Sequence, residues 1–131
     1  MKLVATNLCY NDMEWLPYSL PAIYPVVDKI LISEGAFKGW YEDPHSTDGT
    51  VQWIKKFIKE NDYDSKIIFI QKNGFWNNFE EKKESWFDYL ESGNWVINFD
   101  TDEIYDKREL KSLKKRIQRH QNASEFIPRY K

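Results

Sequence analysis

Trp95-Val96-Ile97-Asn98-Phe99-Asp100-Thr101-Asp102-Glu103 is an apolar run that ends in two carboxylates two positions apart. Trp95 to Phe99 has the length and composition of a buried strand. Side chains at i and i+2 of an extended backbone point to the same side. Asp100 and Asp102 can therefore address one target together from the end of that strand. Two adjacent anionic carboxylates repel unless a cation sits between them. Oxygen-only ligands of this kind suit Mg²⁺, Mn²⁺ or Ca²⁺ rather than Zn²⁺.

Upstream, three more short apolar runs read as strands: Leu3-Val4-Ala5-Thr6-Asn7-Leu8-Cys9, Lys29-Ile30-Leu31-Ile32-Ser33 and Lys66-Ile67-Ile68-Phe69-Ile70. Their Val and Ile content fits strands covered on both faces. Helical patterns fill the gaps. Val51, Ile54 and Ile58 repeat at i, i+3, i+7, with turn and N-cap chemistry ahead of them in Ser46-Thr47-Asp48-Gly49-Thr50. Phe79, Trp86, Phe87 and Leu90 make a second stripe, with Gly93 as the expected C-terminal cap. Trp15, Leu16, Leu20 and Ile23 predict a first helix, which Pro17, Pro21 and Pro25 should kink or break. Strand and helix alternating in this way predict an α/β fold, a Rossmann-like, mostly parallel sheet with flanking helices. Strand one should lie between strands two and four. Glu34 to His45 is the longest irregular stretch, too long for an ordinary connection and hence a candidate for function.

The 131 residues suffice for a single domain, 1–131, with one core. At 41% hydrophobic and 17% aromatic the chain is globular rather than disordered. A lone cysteine, Cys9, excludes an internal disulfide, fits a reducing compartment and reads as a buried, inert thiol. The start Met1-Lys2-Leu3-Val4 carries no long apolar stretch, so neither a signal peptide nor a membrane span is expected and the location reads as cytoplasmic. Charge is uneven: residues 1–106 carry 10 Lys/Arg against 19 Asp/Glu, and residues 107–131 carry 9 against 2. Leu110, Leu113 and Ile117 give the basic 107–119 stretch the stripe of an amphipathic helix. Its other face is either simply solvated or attracted to an anionic membrane or acceptor. No aromatics interleave with these charges, which argues against nucleic acid. His45 and His120 lack ligand spacing and read as surface histidines.

Ligands of open α/β sheets bind outside the carboxyl ends of the strands. Those ends are Tyr10-Asn11-Asp12, Glu34-Gly35, Gln71-Lys72-Asn73-Gly74 and Asp100-Thr101-Asp102. Such a rim can stack a base, hold a ribose through carboxylates and bind a diphosphate through a metal. Lys82 and Lys83 border the Phe79–Leu90 stripe, where a lysine either snorkels to solvent or reaches the nucleotide phosphates; Lys83 is the candidate.

Residues 2–106 resemble the nucleotide-binding half of a family 2 glycosyltransferase with the GT-A fold. The resemblance rests on Tyr10-Asn11-Asp12, Ser46-Thr47-Asp48-Gly49-Thr50 and Asp100-Thr101-Asp102-Glu103, taken in that order. It implies a nucleotide-diphospho-sugar donor, Mn²⁺ or Mg²⁺, and a glycan, lipid or protein acceptor. Asp102 would ligate the metal, and Asp100 would hold the ribose or the metal. Tyr10 and Asn11 would lie near the nucleotide, and Glu34 would replace an Asp that contacts the nucleoside. The chain departs from the family in that longer Glu34 side chain and in the inserted Gly35 to His45.

The acceptor half, which supplies the family's catalytic base, is not expected within these residues: the chain reads either as a fragment or as a minimal member lacking that half. The tail Glu125-Phe126-Ile127-Pro128-Arg129-Tyr130-Lys131 reads as the start of a further strand, and no catalytic residue is assigned. Self-association through apolar surface near Leu113, Ile117, Phe126 and Ile127 is expected. Two other readings are a sugar nucleotidyltransferase-like enzyme and a non-catalytic α/β nucleotide- or cation-binding module. The first would need a Gly- and Arg-rich phosphate loop where the chain has Asn7-Leu8-Cys9-Tyr10.

Overall fold

Hydrophobic alternation on a single central strand organises the architecture. The computed structural model describes residues 2–102 and 107–119. Strand β1 (Leu3–Cys9) pairs in parallel with β2 (Lys29–Glu34) on one side and β4 (Trp95–Asn98) on the other, and β3 (Ile67–Gln71) continues the sheet beyond β2. The order is β3-β2-β1-β4, as the strand pattern predicts. Register runs from Leu3 opposite Trp95 to Thr6 opposite Asn98, and from Val4 opposite Lys29 to Cys9 opposite Glu34.

Odd residues of β1 face one layer and even residues the other, the period of a pleated strand. Leu3, Ala5 and Cys9 join Ile30, Ile32 and Ile97 in the larger core. Helices α1 (Leu16–Ile23), α2 (Thr50–Asn61) and α4 (Lys107–Arg119) contribute Leu16, Leu20, Ile23, Ile54 and Leu113 to it. The opposite face buries Val4 and Leu31 under Trp86, with Leu8, Ile68, Ile70 and Leu90 packed around them.

The first helix is neither missing nor interrupted. Pro17 occupies its first turn, where an N–H has no helical partner anyway. Pro21 lies inside, and the bond it forfeits is the one to the Pro17 carbonyl. The third helix departs from expectation. Helix α3 spans only Phe79–Glu84, and a single 3₁₀ turn, Phe87–Tyr89, follows. Asn78 caps α3 by accepting from the Glu81 N–H at 2.8 Å. At the other end the Ser85 hydroxyl donates to the Lys82 carbonyl and the Trp86 N–H turns back to Lys83, tightening the chain out of the α-helix. Gly93 serves in the turn between Glu91 and Asn94 that leads into β4 rather than as a helix cap.

In α4, Leu113 is buried against the core, and Lys114 binds the Val26 carbonyl at 3.1 Å and pairs with Asp28 at 3.5 Å. The apolar stripe thus turns inward at Leu113, while Lys111, Lys115, Arg116 and Arg119 are exposed. Glu103, Asp106, His120 and the 125–131 tail lie outside the described residues, as do the side chains of Leu110 and Ile117. No described helix is long and apolar enough to cross a membrane.

Asp62 ends α2 and starts β3. Its carboxylate accepts from the Lys66 and Ile67 amides at 2.8 and 3.0 Å and from the Tyr24 hydroxyl at 2.7 Å. Burial, followed by the bond to Asp62 and its charge, pushes the Tyr24 hydroxyl from 10.0 up to about 12. A raised folded value means that this contribution is complete below pH 10 and is lost as pH rises through about 12. Tyr24→Phe should cost about 1 kcal/mol at neutral pH. Urea titrations at rising pH should show the gap to the parent closing over that alkaline window.

Candidate functional site

Each strand hands a polar turn to the carboxyl edge of the sheet, and the first turn is the most tightly held. Asn11 adopts a left-handed backbone, φ +52°, which asparagine tolerates better than most residues. The following segment of chain wraps around it. Asn11 N–H donates to Ser46 Oγ at 3.0 Å, Thr47 N–H to Asn11 Oδ1 at 2.8 Å, and Asp12 N–H to Thr50 Oγ1 at 2.9 Å. Asp48 accepts from the Met13 N–H and from both the N–H and hydroxyl of Thr50. Burial drives the Asp48 carboxyl up, but the donors of Thr50 and Met13 outweigh it and hold the group below the usual carboxylate range. Ser46-Thr47-Asp48-Gly49-Thr50 therefore does more than start α2: it clamps the turn after β1.

Glu34 anchors the same segment. Its side chain is fully buried at the end of β2. Oε2 accepts from Ser46 N–H and Oγ at 2.7 and 2.8 Å, and Oε1 meets His45 Nδ1 at 2.8 Å and Gln71 Nε2 at 2.9 Å. Burial raises its pKa, and the donors of Gln71, Ser46 and His45 together lower it below the ordinary value. The long irregular stretch begins immediately after. It is tied down where Phe37 bridges Trp76 in parallel and the Trp76 indole donates to the Glu34 carbonyl at 3.0 Å. Gly35 at φ +134° is required there, since a Cβ would come within 2.9 Å of that indole nitrogen.

Lys82, and not Lys83, is the lysine that reaches the strand ends. It is 3% exposed, and its ammonium donates to the carbonyls of Cys9 at 3.0 Å and Gly35 at 2.7 Å. Burial lowers its pKa, while the surrounding charges of Cys9, Glu34 and Asp12 work the other way. Cys9 beneath it is buried with its thiol pushed well up, which leaves it inert as expected.

Between the ends of β1 and β4 opens a cleft of about 460 Å³. This is the point where strand order reverses, because β2 and β3 extend one way from β1 and β4 the other. Asn11, Asp12, Glu14 and Trp15 line it from the β1 side, and Asp100, Thr101 and Asp102 from the β4 side. Burial raises the Asp12 pKa, offset in part by bonds from the Tyr10 N–H and the Thr101 side chain and by the charge of Lys82. Among the described residues four carboxylates and no lysine or arginine line the cleft, so a bare diphosphate would be repelled from them.

Of the sequence-nominated residues, the cleft brings together Asn11, Asp100 and Asp102. Tyr10 stands outside it: its hydroxyl donates to the Asp43 carbonyl at 2.9 Å, and its ring centroid lies 4.7 Å from that of Tyr41. Glu34 is committed to its four donors, and Lys83 lies exposed at a different cavity, on the far face of the sheet. Asp12, Glu14 and Trp15 are lining residues that strand-end reading names only in part. Among the described residues no group of three or more His, Cys, Asp or Glu is arranged to hold a metal. Asp100 and Asp102 offer the two-carboxylate set that Mg²⁺ or Mn²⁺ uses when phosphate oxygens and water complete the shell, so the donors fit such an ion as part of a ternary site.

The described architecture is a Rossmann-like, mostly parallel four-stranded sheet with flanking helices. Its solved neighbours include TarS of S. aureus, a glycosyltransferase. TarS 1-349 superposes with a TM-score of 0.67 at 18% identity, over 92% of this chain and 33% of that one. Its complex with UDP-GlcNAc gives 0.67 and 18%, over 92% and 32%. Another TarS structure gives 0.66 and 17%, over 92% and 20%. The chain thus spans about a third of TarS 1-349, and at such identity the likeness shows the fold. No protein-family model matches the sequence, and no curated protein matches it.

Glu34→Gln should unlock this edge, because an amide must turn its NH₂ toward one pair of donors. The expected loss is about 2–3 kcal/mol at neutral pH. A depressed folded pKa gives stability that is present above 4.5 and lost as pH falls through the folded value. Urea unfolding should therefore show parent and variant converging below pH 4.5.

Proposed function

We propose that this chain is the nucleotide-sugar-binding domain of a metal-dependent, family 2-like glycosyltransferase. The observation that carries the proposal is the acidic cleft at the switch point, with Asp100 and Asp102 on the same wall. The fold shared with TarS, one of whose structures holds UDP-GlcNAc, supports the same donor class.

Asp100 and Asp102 would hold Mn²⁺ or Mg²⁺. When bound, such an ion neutralises the charge that a diphosphate leaving group gains as its bond to the sugar breaks. The chain's own residues set the geometry around that event. The clamped Asn11-Asp12 turn forms one wall with fixed backbone dipoles and places Trp15 as an apolar surface at the mouth. Asp12, engaged by Tyr10 and Thr101, orders the β1 wall against the β4 wall. Transfer would go to a glycan, lipid or protein acceptor, with the base supplied from the acceptor side.

Calorimetry with UDP, with and without Mn²⁺, tests the reading directly. Binding should require the cation. Asp102→Asn should remove about 2–5 kcal/mol of it, the cost of breaking a desolvated charge cluster, with an unchanged circular dichroism spectrum. Equal affinity in the presence and absence of Mn²⁺, or in parent and variant, would sink the metal assignment.

A further inference from the structure

Helices α1, α2 and α4 pack on one face of the sheet, and α1 is the middle one. It meets α4 directly, and on its other side Tyr24 sets its ring edge-on to Phe57 of α2, with centroids 5.8 Å apart. The outer surface of this layer is sorted by residue type. Residues 15–27 carry no charged side chain. Tyr18 is 65% exposed there, with Pro21 and Pro25 beside it and Trp15 at the end of the row. On α2 the exposed positions opposite buried Ile54 include Lys55, Lys56 and Lys59, and Tyr63 follows at 86% exposed. On α4, opposite buried Leu113, they include Lys111, Lys115, Arg116 and Arg119. A neutral aromatic row thus runs between two basic ones.

We propose that this helical layer lies on an anionic lipid bilayer surface. Three features select that partner. Packed helices are about 8–10 Å apart, so the two basic rows are separated by roughly 16–20 Å. That is too wide for one small anion and matches a laterally uniform negative plane. The large apolar side chains exposed on the layer are Trp and Tyr, whose rings join an apolar body to a polar tip and settle at headgroup level. The exposed phenylalanines, Phe79 and Phe87, belong to α3 and the 3₁₀ turn across the sheet. Finally, most of the cations named are lysines, in which protein interfaces are depleted and which add attraction one by one beside an anionic membrane. Nearby acids do not cancel them. Asp28 is paired with Lys114, and Asp62 is committed to its three donors. Glu60 and Asp64 flank the α2 row, so α4 carries more of the attraction. The proposal depends on neither the donor nor the metal.

Co-sedimentation of the full chain with large vesicles tests it. At about 0.1 M salt, phosphatidylcholine vesicles containing phosphatidylglycerol should bind at least about tenfold better than phosphatidylcholine alone, and about 1 M salt should remove the difference. The triple variant Lys111→Glu, Lys115→Glu, Arg119→Glu should lose roughly 100-fold in partition coefficient, about fivefold per position. The α2 pair Lys55→Glu, Lys59→Glu should lose about 20-fold, and serves alone if the triple variant loses helical circular dichroism. Lys83→Glu makes the same kind of charge change across the sheet and should stay within about twofold of the parent. Equal binding to both vesicle types, binding to neither, parental affinity in the α4 and α2 variants, or an equal loss in Lys83→Glu would overturn the assignment. So would binding of polyglutamate or an oligonucleotide without binding of anionic vesicles, which marks a macromolecular polyanion instead.

Discussion

One carboxylate holds the carboxyl edge of the sheet together. Burying a charge costs several kcal/mol unless it is fully hydrogen-bonded, and Glu34, at the end of β2, meets that condition with donors from two separate segments: His45 and Ser46 on one, and Gln71 at the end of β3 on the other. Through Ser46 the constraint passes to Asn11, and through Thr50 to Asp12, so the wall of the acidic cleft is fixed by a charge that never lines it. Lys82 supplies the opposite sign nearby, closing the carbonyl ends of β1 and β2. The edge is a lattice of charge-assisted bonds resting on an apolar sheet.

The four strands and their order were legible because each is a short β-branched run in a chain that alternates with helical patterns. Asp100 and Asp102 were legible for the same reason, being polar residues placed where a buried strand stops. Periodicity failed for the third helix: Phe79, Phe87 and Leu90 keep helical spacing, yet Phe79 and Phe87 are half exposed and the helix ends at Glu84. Nothing in that spacing reveals the Ser85 hydroxyl bonding back to Lys82, nor which of two adjacent lysines turns inward. The Asn78–Glu81 capping pair was a usable sign of where the helix starts. The role of Glu34 was hidden because its partners lie 11, 12 and 37 residues away, beyond any local pattern.

The uneven charge of the sequence acquires a direction in space. Acidic side chains gather at the carboxyl ends of β1 and β4, while Lys114 of α4 is tied to Val26 and Asp28, next to the start of β1 where Leu3 N–H meets Asp28. Negative charge is thus concentrated at the carboxyl edge of the sheet. A cation approaching the cleft is steered toward it.

The pairing of β1 with β4 also bears on how the molecule is made. Leu3 meets Trp95, and Thr6 meets Asn98, across 92 residues of chain. Contacts so distant in sequence carry the largest loop-closure entropy in the sheet. A ribosome releasing this chain exposes β1, β2 and β3, which pair with one another, before β4 emerges. The seam that closes last in such an order is the one between β1 and β4, and it is there that the cleft lies. Nascent chains would thus hold a finished clamp around Asn11 facing an empty strand position, and would complete the cleft in a single late step of assembly.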